Sequence, residues 1–210
     1  MLTSLQIRVA KLFLSLPEAC HFALAGGAAL IFKNEVARHT QDLDFFCPLQ
    51  NEVRAASESL QKSLASLGLR FQIVSSSPSF VRMIVQETES NEEVVVDIGH
   101  DYRLKKPDDT EIGPVLSTEE LAADKLLALF GRAEARDFVD VYHLMHKFGV
   151  ASVLHLAKEK DTGFDPYILA IEIGKLARLP RKEFEVDDLT YQELQIFFRN
   201  LRAELLEKAL

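Results

Sequence analysis

Long apolar runs, cysteines and an excess of positive charge are all missing from this sequence, and each absence excludes a class of protein. No stretch of 18 or more apolar residues occurs, so no transmembrane helix is expected. The two cysteines, Cys20 and Cys47, have no metal-like spacing and are too few for a disulfide framework, which points to a reducing cytoplasm. Ala23-Leu24-Ala25 resembles a signal cleavage site, but Pro17, Glu18 and His21 interrupt the apolar region that a secretory signal needs. With 24 Lys and Arg against 32 Asp and Glu the net charge is −8, so no broad basic surface for non-specific nucleic-acid binding is implied and DNA is not an expected partner. Gly-x-Ser-x-Gly, P-loop, dinucleotide and Cys-pair motifs do not occur, nor do internal repeats or low-complexity segments. What remains is a chain of 210 residues, 48% hydrophobic, long enough for one domain or two small ones with a real core.

The apolar pattern divides this chain into a mixed half and a helical half. Leu2, Leu5, Val9, Leu12 and Phe13 recur at helical spacing, and Pro17 stops that helix. Phe22 to Ala25 is a short buried strand ended by Gly26-Gly27, and a helical pattern resumes from Ala28 to Arg38. Leu43, Phe45 and Phe46 belong to a second strand, closed by Pro48. Asn51 is placed to cap a helix with Val53, Ala56, Leu60, Leu64 and Leu67 inward and Gly68 as its stop. Three more strands follow, over residues 69–73, 80–86 and 94–98. Residues 105–114 read as a polar loop. Beyond it the pattern is all helical, with a capping box at Ser117-Thr118-Glu119-Glu120, a helix from about Ala135 to Phe148, another opened by Asp165-Pro166, and a last one over residues 190–210. The expectation is an α+β fold: a small mixed sheet flanked by helices over residues 1–112, then a helical domain over 113–210 that closes a cleft.

Function is concentrated in residues 22–46, where an apolar run, a glycine pair, a helix and an acidic strand follow one another. Asp42 and Asp44 are two apart, so on a strand they project to one face while Leu43 and Phe45 point into the core. Carboxylates held side by side repel each other unless a cation neutralises them. Magnesium takes carboxylate and phosphate oxygens in this manner, and a pair of ions about 3.5–4 Å apart can stabilise the attacking and leaving oxygens of an in-line displacement. Asp97 lies in Val94-Val95-Val96-Asp97-Ile98, where an aspartate is costly unless paired, metal-bound or exposed. Beside the Asp42 strand it would complete a set of three acids, bridging a second ion or helping to deprotonate an acceptor hydroxyl. Gly26 and Gly27 lack Cβ atoms and let phosphate approach the backbone at a helix start, with Thr40 and Arg38 able to add a hydroxyl and a positive charge.

Gly26-Gly27 followed by Arg38-His39-Thr40-Gln41-Asp42-Leu43-Asp44-Phe45 resembles the first motif of the nucleotidyltransferase superfamily related to DNA polymerase β. More narrowly, Asp124-Lys125 and Arg136-Asp137-Phe138-Val139-Asp140 resemble the later motifs of its abortive-infection toxin branch, the AbiEii/AbiGii type. Ala28 stands where many members of that branch have threonine. The resemblance covers about residues 20–148. It implies a magnesium-dependent enzyme, with two ions held by Asp42, Asp44 and Asp97, that moves a nucleoside monophosphate from NTP to an acceptor. It further implies Lys125 at the triphosphate, Asp137 and Asp140 near the nucleotide or acceptor, tRNA or another RNA as acceptor, and a separately encoded antitoxin. On spacing alone, Arg136 and Asp140 are an ordinary i,i+4 surface ion pair. A nucleotide-binding or protein-interaction module without turnover, and an enzyme acting on a small molecule such as an aminoglycoside, are the alternatives.

Overall fold

A computed structural model describes residues 1–208, in two compact units divided by backbone packing after Ser117. Among the described residues no helix is long and apolar enough to cross a membrane.

The first unit is built on a seven-stranded mixed sheet. Its strands are β1 (Ala23–Ala25), β2 (Asp42–Cys47), β3 (Arg70–Ser77), β4 (Phe80–Gln86), β5 (Glu93–His100), β6 (Asp108–Thr110) and β7 (Gly113–Val115), in the spatial order β3-β4-β5-β2-β1-β7-β6. Beta-branched and aromatic residues produce the central strands, and the two-residue period of a strand gives each a wet and a dry side. Leu43, Phe45 and Cys47 of β2, Val81, Met83 and Val85 of β4, and Val94, Val96 and Ile98 of β5 are buried on the dry side. Two helices cover this unit's core, α1 (Ser4–Leu14) and α3 (Val53–Ser66), with α3 lying against β3, β4 and β5. Thr3 and Gln6 form a capping box at the start of α1. Phe13 anchors α1 in the core, its ring 4.4 Å from that of Phe45 and 5.3 Å from that of Phe22.

Three local expectations are corrected. The helix after β1, α2, runs from Gly26 to Phe32 and not to Arg38. Asn34 takes a left-handed backbone (φ 59°), and Asn34 and Glu35 donate their N–H groups back to Ile31 and Leu30, a Schellman ending that terminates the helix at once. Residues 33–41 are thereby freed to loop back towards the start of α2. The polar stretch 105–114 is not merely loop: it holds the β6–β7 hairpin, and β7 pairs in parallel with β1 through Leu24 and Val115, so the first unit extends to Ser117. The start of α3 is a 3-10 turn over Gln50–Glu52 with no capping by Asn51, although Gly68 ends the helix with φ 72° as its position demands.

The second unit is helical: α4 (Thr118–Gly131), α5 (Ala135–Phe148), α6 (Val150–Lys160), α7 (Pro166–Ile173) and α8 (Asp188–Glu207). Asp165 caps α7 by accepting from the Tyr167 N–H, with Pro166 at the first helical position. Gly149 adopts φ 81° and separates α5 from α6. Phe138 and Phe198 meet edge to face at 5.0 Å and join α5 to α8. The last two positions of the expected final helix, 209 and 210, lie outside the described residues.

Candidate active site

Strand register brings the acids of the first unit together. Asp44 on β2 is the register partner of Asp97 on the parallel neighbour β5, and Asp97 is in turn the partner of Arg82 on β4. Paired residues share a face, so Asp44, Asp97 and Arg82 form one row across three strands. Asp42 sits on the same face one pleat away, opposite Val95. Asp97 is 4% exposed, and what makes its burial tolerable is Arg82: Nε donates to Oδ1 at 2.7 Å and Nη2 to Oδ2 at 2.5 Å, a bidentate pair. The guanidinium is held protonated well above its ordinary range, chiefly by those hydrogen bonds and then, against the cost of its own burial, by the charges of Asp97, Asp42 and Asp44. Arg82 was absent from the expected site. Its one sequence signal is a lone cation on the wet phase of Phe80-Val81-Arg82-Met83-Ile84-Val85, and nothing in that pattern says which acid it faces.

Gly26 is packed against the same row, and Gly27 against Arg38. Ala25 pairs with Asp44, and Gly26 follows in a left-handed backbone, φ 61°. A Cβ there would fall 1.9 Å from Asp44 Oδ2, and one on Gly27 would fall 2.6 Å from Arg38 Nη2. Gly26 is therefore required by both the turn and the neighbouring carboxylate, whereas a side chain at Gly27 would displace the Arg38 guanidinium. Arg38 is buried to 9% exposure and donates from Nη1 to the His39 carbonyl at 2.9 Å. The Thr40 hydroxyl accepts from the Asp42 N–H at 3.4 Å, and the Thr40 carbonyl accepts from Gln6 Nε2 at 2.8 Å, which ties the approach to β2 to α1. Gly26, Gly27, Arg38, Thr40, Asp42, Asp44 and Asp97 thus lie within one neighbourhood of the first unit. Among the described residues, no three His, Cys, Asp or Glu side chains are grouped in a manner that could hold a metal ion, and Asp97 is engaged by Arg82.

Lys125, Asp137 and Asp140 belong to the second unit, where each has a defined partner. Lys125 on α4 is 6% exposed, and its Nζ lies 3.0 Å from Asp140 Oδ2 on α5. Asp140 is fully buried, so it does not belong to a surface ion pair. Asp137, also fully buried, receives two hydrogen bonds from Arg132, at 2.8 and 2.9 Å, and one from the Glu134 N–H in the capping box of α5. Asp124 and Glu120 on α4 both meet Lys160 of α6, the latter at 2.7 Å. Two buried lysine–carboxylate groups on α4 thus fix it to α5 and α6. The sequence pattern gave no sign of the second, because Lys160 lies far from the acids along the chain.

The sequence profile of the family described as "Nucleotidyl transferase AbiEii toxin, Type IV TA system" matches residues 13–209. The chain belongs to the AbiEii toxin family. It is accordingly a nucleotidyltransferase of a toxin family, for which an NTP substrate and an antitoxin partner are implied. No curated protein matches it. Among solved structures it resembles a Helicobacter pylori chain described as a nucleotidyltransferase, with a TM-score of 0.57, 21% identity and 98% of each chain covered. It also resembles MenT4, a nucleotidyltransferase toxin of Mycobacterium tuberculosis, with a TM-score of 0.58, 19% identity, and 96% of this chain and 83% of that one covered. At these identities the likeness is one of fold.

Proposed function

We propose that this AbiEii-family chain transfers a nucleoside monophosphate from an NTP to a hydroxyl of an RNA acceptor, with magnesium held by Asp42 and Asp44. The observation that carries this is the acid row Asp44–Asp97, with Asp42 on the same face, Gly26 packed against Asp44 and Gly27 against Arg38. The donors suit the ion: carboxylate oxygens on a stiff strand are the hard ligands magnesium takes, with phosphate oxygens completing its shell. Bound there, the metal would neutralise charge on the attacking and leaving oxygens.

The chain's own groups do the rest. Gly26, Gly27, Thr40 and Arg38 hold the triphosphate. The acceptor oxygen forms the new bond to the α-phosphorus as the bond to pyrophosphate breaks. Asp97, with its bidentate hold on Arg82 loosened, would either add a carboxylate to a second ion or take the proton of the attacking hydroxyl. The family resemblance assigns Lys125 to the triphosphate and Asp137 and Asp140 to the nucleotide or acceptor. Incubation with each labelled NTP, magnesium and total RNA, followed by gel analysis, tests the proposal. Label on RNA is expected. Label on no RNA, while a small-molecule acceptor is modified, would reassign the acceptor.

A further inference from the structure

The wet face that carries the acids has a second row immediately beyond them. Phe46 on β2 pairs with Gly99 on β5, and Gly99 pairs with Phe80 on β4, so the register that aligns Asp44, Asp97 and Arg82 also aligns Phe46, Gly99 and Phe80 two residues further along. Two residues of strand are about 7 Å. Both rings are half-buried on the face that does not point into the core. They lean over the glycine between them: a Cβ on Gly99 would meet the Phe46 ring at 3.0 Å and the Phe80 ring at 3.2 Å. The Arg82 guanidinium stands 5.9 Å from the Phe80 centroid, linking the two rows. Arg103 Nη2 donates to the Phe46 carbonyl at 2.7 Å and pins the end of β2 beneath the ring.

The position of this shelf relative to the glycine pair gives it a direction. Because β1 runs antiparallel to β2, with Ala25 opposite Asp44 and Ala23 opposite Phe46, Gly26 and Gly27 lie towards the Asp42 end of the row. The aromatic pair lies towards the other end. In an in-line displacement the attacking oxygen comes in opposite the departing pyrophosphate. With the triphosphate at the glycine pair, the shelf is on the attacking side of the acids.

We propose that Phe46 and Phe80, roofing Gly99, stack the terminal base of the acceptor strand and so deliver its sugar hydroxyl to the acid row. The assignment rests on the proposed RNA acceptor and adds a requirement to it: the acceptor must carry a planar base beside the attacking hydroxyl. Stacking on aromatic side chains is how proteins commonly hold unpaired RNA ends, and it tolerates any base. It also reconciles RNA binding with a net charge of −8, since stacking supplies affinity that a basic surface would otherwise provide.

The test uses short RNA oligonucleotides identical except at the terminal nucleotide, which carries each of the four bases or none. With the parent protein, the abasic oligonucleotide is expected to raise KM at least tenfold, on the order of 1.4 kcal/mol, with all four bases accepted within a few-fold. Phe46→Leu and Phe80→Leu should raise KM for the normal ends and lose the difference from the abasic end, while Phe46→Tyr should restore it. Transfer by the parent that is indifferent to the abasic end overturns the shelf and leaves the RNA acceptor standing. Transfer to none of the oligonucleotides or to total RNA overturns both.

Discussion

Gly26 and Asp44 occupy space that only one side chain can fill: a Cβ on Gly26 would sit 1.9 Å from Asp44 Oδ2, on a backbone with φ 61°. Gly26→Ala must therefore strain the turn and displace the carboxylate together. The left-handed backbone alone costs on the order of 1–2 kcal/mol for a residue with a Cβ. We expect transfer to fall at least a hundredfold in this variant, with a measurable drop in melting temperature. Parent-level activity would show that the position of Asp44 does not matter.

Asp44→Asn keeps the shape of the side chain and removes its charge. Transfer should fall at least a hundredfold, about 2.7 kcal/mol of barrier. The melting temperature should stay within about 4 °C, the shift that about 1 kcal/mol produces in a chain of this size. Full activity in the variant would remove Asp44 from the proposed metal site.

Arg82→Gln leaves Asp97 nearly buried without its cation. The cost should be about 1–3 kcal/mol, below that of breaking a fully buried pair, because the Arg82 side chain is itself 46% exposed. Magnesium should then raise the melting temperature of the variant more than that of the parent, because a native-state ligand stabilises by mass action and Asp97 has lost the guanidinium that held it. The comparison is a thermal melt of both proteins across a magnesium series. Parallel responses would mean that Arg82 and the ion do not compete for the same charges.

Lys125→Ala takes the ammonium away from Asp140, which is fully buried. Breaking such a pair costs about 3–5 kcal/mol, whereas replacing both partners by apolar residues is often neutral. Urea unfolding should show Lys125→Ala strongly destabilised and Lys125→Met with Asp140→Leu close to the parent. Activity should remain low in both if Lys125 also meets the triphosphate. An active double variant would confine Lys125 to a structural role.

His143 gives the helical unit a pH dependence. Burial pushes its pKa below the ordinary 6.5, with Asp140 pulling it up and His146 pushing it down by smaller amounts. A histidine whose folded pKa is depressed is held neutral, so the unfolded chain binds the proton first. The stability it contributes is complete above pH 6.5 and is lost as the pH falls through that value towards the lowered one. Urea midpoints between pH 5 and 8 should decline over this window in the parent and decline less in His143→Gln. Equal declines would place the dependence on other groups.

Elements whose residues carry their own partners were legible from the chain. Apolar runs bounded by turn residues marked β2, β4 and β5, and helical spacing with Gly68, Gly149 and Asp165-Pro166 marked α3, α5 and α7. The pairing of Asp42 with Asp44 on one face needed nothing beyond the two-residue period of a strand. The overlong helix after Gly27 and the unseen β6–β7 hairpin share one cause. Asn34 and residues 108–115 draw their conformation from weak local preferences, which hydrogen bonds to Leu30 and Ile31, or pairing with β1, then decide.

The sequence by itself determined which acids lie on strands, which residues turn inward and where the glycines must stand, because dihedral sterics and burial act over a few residues. Strand order and register were decided only by the tertiary structure. They set Asp97 beside Asp44 and not one pleat away, gave it Arg82 for a partner, and laid Phe46 and Phe80 over Gly99. A register shift of one residue would move every one of these side chains to the opposite face. What specifies the register is the burial of the dry faces of the central strands, a sum over many side chains that no single stretch of sequence contains.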